Sequence, residues 1–169
     1  LPENELADIL YQYGEERRAY QVARVIVASR PLHTTKALAD VVARVTGSGK
    51  AGMHPATRTF QALRIAVNGE LDAIGDVLPQ AVAALAPGGR LAVISFHSLE
   101  DRLVKQFLRQ ESVDCLCPPR QPLCTCGHKA TIKLITRQPI AAQADEIAQN
   151  ARSRSAKLRV AEKVWPQRA

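Results

Sequence analysis

Arg90-Leu91-Ala92-Val93-Ile94-Ser95-Phe96-His97-Ser98-Leu99-Glu100-Asp101-Arg102 is the stretch on which the fold turns. Its first seven residues form a short apolar run behind Gly88-Gly89, which suits a buried strand. Ser98-Leu99-Glu100-Asp101 reads as the capped start of a helix, and Leu103, Val104, Phe107 and Leu108 then recur on one face. A strand running into a helix is an α/β signature, and open α/β sheets bind ligands at the carboxyl ends of their strands. His97 sits at that end, followed within five residues by a hydroxyl, two carboxylates and a guanidinium. A purely local reading has Ser98 capping the helix, Glu100 and Asp101 favouring its positive N-terminus and Arg102 solvated. That reading leaves Phe96 and His97 unexplained. No Ser–His–acid triad is read here, because adjacent residues seldom meet in the required geometry.

Upstream, the pattern is helical. Leu6, Ile9, Leu10 and Tyr13 recur at helical spacing and stop at Gly14. A second helix is expected from Glu15 to about Ser29, ended by Pro31, and a third from Lys36 to Val45, capped by Thr34 or Thr35. From Pro55 a long helical pattern runs to Leu85, broken near Gly69 or Pro79, and stops at Ala86-Pro87-Gly88-Gly89. Downstream, Thr131–Arg137 and Ala156–Val164 read as strands on either side of Pro139 and a basic run. Helices first, then strand, helix, strand and strand, suggest a helical module followed by the end of an α/β sheet.

The 169 residues, 46% hydrophobic and 23% charged, suffice for one core and exclude a disordered chain. No run of about 20 apolar residues is present to span a membrane. The start, Leu1-Pro2-Glu3-Asn4-Glu5, has neither an initiator Met nor a basic leader, so the expectation is a cytoplasmic chain cut from something longer. The net charge of +7 is unevenly placed: residues 1–128 carry 14 basic and 13 acidic side chains, residues 129–169 nine and three. A basic C-terminal quarter points to a polyanion, RNA or DNA before a membrane surface, although a solvated basic tail has the same composition. Seven scattered aromatic residues do not make a stacking platform for single strands.

Four motifs remain. Gly47-Ser48-Gly49-Lys50-Ala51-Gly52 fits G-x-G-x-x-G literally, but it follows a helix instead of a strand and reads as an inter-helix loop. Thr57, Gln61 and Arg64, with Arg58 beside them and Asn68 beyond, form a polar stripe that suits either phosphates or solvent. All four cysteines lie in Cys115-Leu116-Cys117 and Cys124-Thr125-Cys126, with His128 two residues on. Their symmetric spacing predicts a hairpin about Pro118–Leu123 that pairs Cys117 with Cys124 and Cys115 with Cys126. Converging thiols suit tetrahedral zinc, two stacked disulfides or free thiols, and all three readings stay open, disulfides being disfavoured in a cytoplasmic protein. Arg152, Arg154, Lys157 and Arg159 place four cations within eight residues, which suits backbone-phosphate contacts.

Tyr13-Gly14-Glu15-Glu16-Arg17, His54–Arg64 with Asn68, Leu85–Leu91, Ile94–Arg102 and Arg154–Arg159 together resemble the bacterial MraW family of ribosomal RNA methyltransferases. The resemblance runs over essentially the whole chain. It implies an S-adenosylmethionine-dependent enzyme that methylates the N4 amino group of a cytidine in the decoding region of 16S rRNA. It further implies the C-terminal part of a Rossmann-like α/β methyltransferase sheet plus an all-α insertion. On this reading residues 1–55 are the insertion that recognises substrate, and 56–169 are methyltransferase with a Cys-rich loop at 114–128. The family's cofactor loop has no match here. The S-adenosylmethionine site is therefore expected outside this chain, no cofactor-binding residue is assigned, and the isolated chain is expected to be inactive. Asn150-Ala151-Arg152-Ser153 also departs from the Asn-Pro-Arg-Ala common in the family.

The site expectations are His97 to orient the base or relay its proton, and Ser98 and Asn68 on the base edge. Arg58, Arg64, Arg102, Arg152 and Arg154 are expected on phosphates, and Cys115, Cys117, Cys124 and Cys126 as metal-ligand candidates. The expected partner is 16S rRNA or the small ribosomal subunit, without a membrane, and an exposed half-sheet would favour a homodimer. The alternatives are a non-catalytic RNA-binding module or a zinc-binding interaction domain.

Overall fold

The computed structural model describes residues 1–47, 54–119, 121 and 123–165. From Ser48 on, the Gly47–Gly52 run lies outside the described residues, as do Arg120 and Pro122 of the expected Cys hairpin turn. The chain divides into two units, Leu1–Glu70 and Leu71–Ala169.

The first unit is four helices, α1 (Glu3–Gly14), α2 (Ala19–Ala28), α3 (Thr35–Thr46) and α4 (Thr57–Asn68). Local chemistry sets their ends. Thr34 Oγ1 accepts the Ala37 N–H at 3.1 Å and caps α3, the first of its two candidate caps. Gly14 closes α1: Glu15 turns left-handed at φ 49°, and the Glu16 N–H reaches the Leu10 carbonyl at 3.2 Å. Gly69, at φ 60°, ends α4 in the same way. Leu6, Leu10, Val22, Ile26, Val41, Val42 and Ala62 form the core. A Cβ on Gly14 would lie 2.8 Å from the Arg58 carbonyl oxygen and 3.2 Å from Ala62 Cβ, so α1 and α4 meet almost backbone to backbone. α4 therefore packs with the helices before it, and the division between the compact units falls after Glu70.

The second unit holds α5 (Glu70–Ala84), β1 (Arg90–Ser95), α6 (Ser98–Glu111), β2 (Ile132–Leu134), β3 (Ile140–Ala141), α7 (Ala144–Gln149), a short 3-10 helix (Ala151–Ser155) and β4 (Lys157–Lys163). β4 is the hub of the sheet, with β1 antiparallel on one edge and β2 and β3 antiparallel on the other. Leu78 and Val82 of α5, Val104 and Leu108 of α6, Ile132 and Ala161 make its core, each large side chain contributing about 1.5–3 kcal/mol by burial. Pro79 does not break α5.

Three expectations need correction here. β1 is an edge strand instead of a buried one. Leu91 and Val93 pack inward, while Ile94 is 57% exposed on a face that no described residue covers. The cap of α6 is His97 and not Ser98: His97 Nδ1 accepts the Glu100 N–H at 3.3 Å, while Glu100 Oε2 accepts the N–H of His97 at 3.2 Å. A reciprocal box outcompetes a lone serine because it satisfies donors at both ends. The strand read at Thr131–Arg137 stops at Leu134, because Ile135 and Thr136 both donate to the Val160 carbonyl and bulge the chain. No helix among the described residues is long and apolar enough to cross a membrane.

Candidate functional site

The β1–α6 turn is built by the capping box. Glu100 Oε2 also accepts the Phe96 N–H at 2.7 Å, which locks the turn that carries the imidazole. Because Nδ1 accepts a hydrogen bond, the neutral ring carries its proton on Nε2. That atom is buried and has no hydrogen bond among the described residues, although Glu100 Oε1 stands 3.3 Å away. Capping therefore explains one ring nitrogen, and the other faces Glu100 Oε1. Ser98 is exposed in the first turn of α6. Asn68 ends α4 in the first unit, where its amide donates to Glu70 Oε1 at 3.0 Å.

Behind the turn lies an ion cluster. Arg159 of β4 donates to both oxygens of Asp101, at 2.7 and 3.2 Å, and Lys157 Nζ adds a contact at 3.2 Å. Asp101 and Arg159 are buried. The Arg159 hydrogen bond, opposed by burial and reinforced by Lys157, holds the Asp101 carboxyl below its ordinary value. The cluster pins the helix that carries His97 to the hub strand. It also removes Lys157 and Arg159 from the basic run read as phosphate-binding. The other two cations remain outward. Asn150 Oδ1 caps the 3-10 helix by accepting the Arg152 N–H at 3.1 Å, and buried Ser153 donates to the Asn150 carbonyl at 2.8 Å. With Ser153 turned inward, Arg152 and Arg154 are exposed on either side of it.

Other cations have structural partners. Arg58 donates to the Glu15 carbonyl at 3.1 Å and Gln61 to the Tyr13 carbonyl at 3.2 Å, so the polar stripe of α4 ties down the end of α1. Arg64 pairs with Glu70 at 2.9 Å, and Arg102 is exposed on α6. Sequence reasoning missed a depression of about 240 Å³ in the second unit, where Lys105, Arg109, Arg137 and Arg159 converge beside Leu108 and Leu134. The i, i+4 spacing of Lys105 and Arg109 was its only local signal. The four cysteine sulfurs converge as their spacing predicts, all within 4.8 Å of one another. No strand runs through the described residues of their loop, so the expected β-hairpin pairing is not its scaffold.

The MraW methylase family matches residues 1–164. A protein of Thermomicrobium roseum named ribosomal RNA small subunit methyltransferase H is 58% identical over 163 residues, covering 95% of this chain and 50% of that protein. Proteins of the same name from Heliobacterium mobile and Brevibacillus brevis are 54% and 49% identical, covering 96% of this chain and 54% and 53% of their own lengths. The chain thus spans about half the length of these relatives.

Proposed function

The chain belongs to the MraW methylase family, and from that premise we propose that it is part of an S-adenosylmethionine-dependent methyltransferase acting on a cytidine N4 in the decoding region of 16S rRNA. The observation that carries this reading is the family match across both structural units, the helical one included. On this reading the second unit belongs to a Rossmann-like sheet, the helical unit helps to recognise substrate, and the enzyme works on small-subunit RNA in the cytoplasm.

The residues of this chain do not form a cradle for S-adenosylmethionine at the β1–α6 crossing. The N–H groups of Phe96, His97 and Glu100, which an open helix N-terminus would offer a ligand, are all taken within the capping box. With the family's cofactor loop unmatched in this chain, the cofactor is assigned to the part of the relatives' length that this chain does not span, where it would supply the methyl group. This chain's share is to hold the nucleotide. Methylating an exocyclic amine requires the base to be fixed and one proton to leave. His97 Nε2 is assigned to orient the base or relay that proton, with Glu100 Oε1 beside it, and Ser98 to the base edge; Asn68, in the helical unit, is a separate base-edge candidate. Among the phosphate candidates, Arg152 and Arg154 have the strongest support, because Arg58 and Arg64 already serve helix ends and Glu70. Arg102 on α6 and the basic depression lined by Lys105, Arg109 and Arg137 are further candidates for phosphate contacts. Calorimetric titration of S-adenosylmethionine tests the division of labour. The chain alone is expected to give no heat of binding, and the chain combined with the remaining half of a relative is expected to bind. Micromolar binding by the chain alone would overturn it.

A further inference from the structure

We infer that Cys115, Cys117, Cys124 and Cys126 form a closed structural zinc site that folds the loop between α6 and β2. None of the described residues from 112 to 131 is buried, and none lies in a strand or helix. Leu123 is 77% exposed. Hydrophobic burial therefore cannot order this loop, and structureless loops longer than about 12–15 residues are uncommon unless something else fixes them. Four thiols stand at its centre instead.

Three of the sulfurs stand at the spacing of a metal cage, and Cys117 Sγ lies within 4.8 Å of each. Cys115 Sγ lies 3.5 Å from Cys124 Sγ and 3.8 Å from Cys126 Sγ, and the last two are 3.6 Å apart. A tetrahedron with zinc–sulfur bonds of about 2.3 Å has sulfur–sulfur edges of about 3.8 Å. Disulfide sulfurs would stand about 2.05 Å apart, and all four cysteines are free. Backbone N–H groups point at the sulfurs: Leu116 to Cys126 at 3.3 Å, Cys117 to Cys115 at 3.4 Å and Thr125 to Cys117 at 3.5 Å. Such donors stabilise thiolates and orient them for a metal.

The ends of the loop are already held, by the Thr131 N–H on the Glu111 carbonyl at 2.9 Å and by His128 Nε2 against the Gln110 carbonyl at 2.9 Å. His128 is thereby turned to α6. Four sulfurs fill the coordination sphere and leave no position for water or substrate, so the role is structural and not catalytic.

Zinc loading of the full chain under reducing conditions, followed by desalting and elemental analysis, tests this. The expected result is a single zinc ion per chain, and cobalt(II) in its place is expected to show thiolate charge-transfer bands with the intense visible bands of tetrahedral coordination. Cys124→Ser and Cys115→Ser should each weaken zinc affinity at least about a hundredfold in competition with a chromophoric chelator. The cobalt spectrum of the unsubstituted chain decides the matter even if a variant fails to fold. Zinc well below one equivalent, a weak octahedral cobalt spectrum, or two disulfides in the intact mass would overturn the assignment.

Discussion

Replacing Asp101 with Asn is expected to loosen α6 from the hub strand. The carboxylate accepts both Arg159 bonds and the Lys157 contact, and its side chain retains 11% of its exposure, against 8% for Arg159 and 42% for Lys157. Removing one partner of a buried pair costs about 3–5 kcal/mol, because the remaining charge is stranded. Asn keeps one acceptor and Lys157 can swing into water, so the expected loss is about 2–3 kcal/mol. Two units need not unfold in one transition, so amide exchange of Arg159 and Val160 is a better reading than a global melt. Protection there should fall about 30- to 150-fold. The double change Asp101→Leu with Arg159→Met should recover most of it, since an apolar pair strands no charge. The pH dependence has a definite sign. The folded value of Asp101 is depressed, so its stabilisation is complete above the ordinary value of 3.8 and lost as pH falls through the lower folded value. The gap between the two proteins should therefore be constant in neutral buffer and close in strong acid. A fall in protection under about fivefold, or a gap that persists in acid, would refute the reasoning.

Gly14→Ala should destabilise the helical unit by about 1–3 kcal/mol, read by amide exchange in α1 and α4, because its Cβ would press on the Arg58 carbonyl. His97→Asn separates the two roles of the histidine. Asn caps well, so stability should hold within about 0.5 kcal/mol, while methyl transfer by the assembled enzyme should drop about 10²- to 10⁴-fold. Near-normal activity would reduce His97 to a cap. The double variant Arg152→Ala, Arg154→Ala should lower the slope of log affinity against log salt by about 1–2 in RNA-binding titrations, and an unchanged slope would remove both from the phosphate surface.

What was legible in the sequence was whatever local chemistry decides. Thr34 as a cap, the stop at Pro87-Gly88-Gly89, the last strand and the convergence of four symmetrically spaced cysteines all depend on neighbours in the chain. What failed depends on distant partners. Asp101 and Arg159 are 58 residues apart, and nothing near either shows that two cations of the basic run are neutralised. Gly14 reads as a helix stop, yet its second role, the close approach to α4 that packs α4 into the first compact unit, has no local signal. β2 is shortened by a bulge that only its pairing with Val160 creates. The cap at His97 lies between these cases: the spacing to Glu100 was visible, but serine at position 98 is the commoner capping residue and drew the assignment one place too far.

The central claim is tested most directly by methyl transfer. The chain, completed with the remaining half of a relative and supplied with methyl-labelled S-adenosylmethionine, would be incubated with small ribosomal subunits lacking the modification, and the label mapped to a nucleotide and an atom. The account predicts label on N4 of a single cytidine in the decoding region of 16S rRNA, lost in His97→Asn. Label on another base or another atom, or none from a folded complex that binds S-adenosylmethionine, would contradict it.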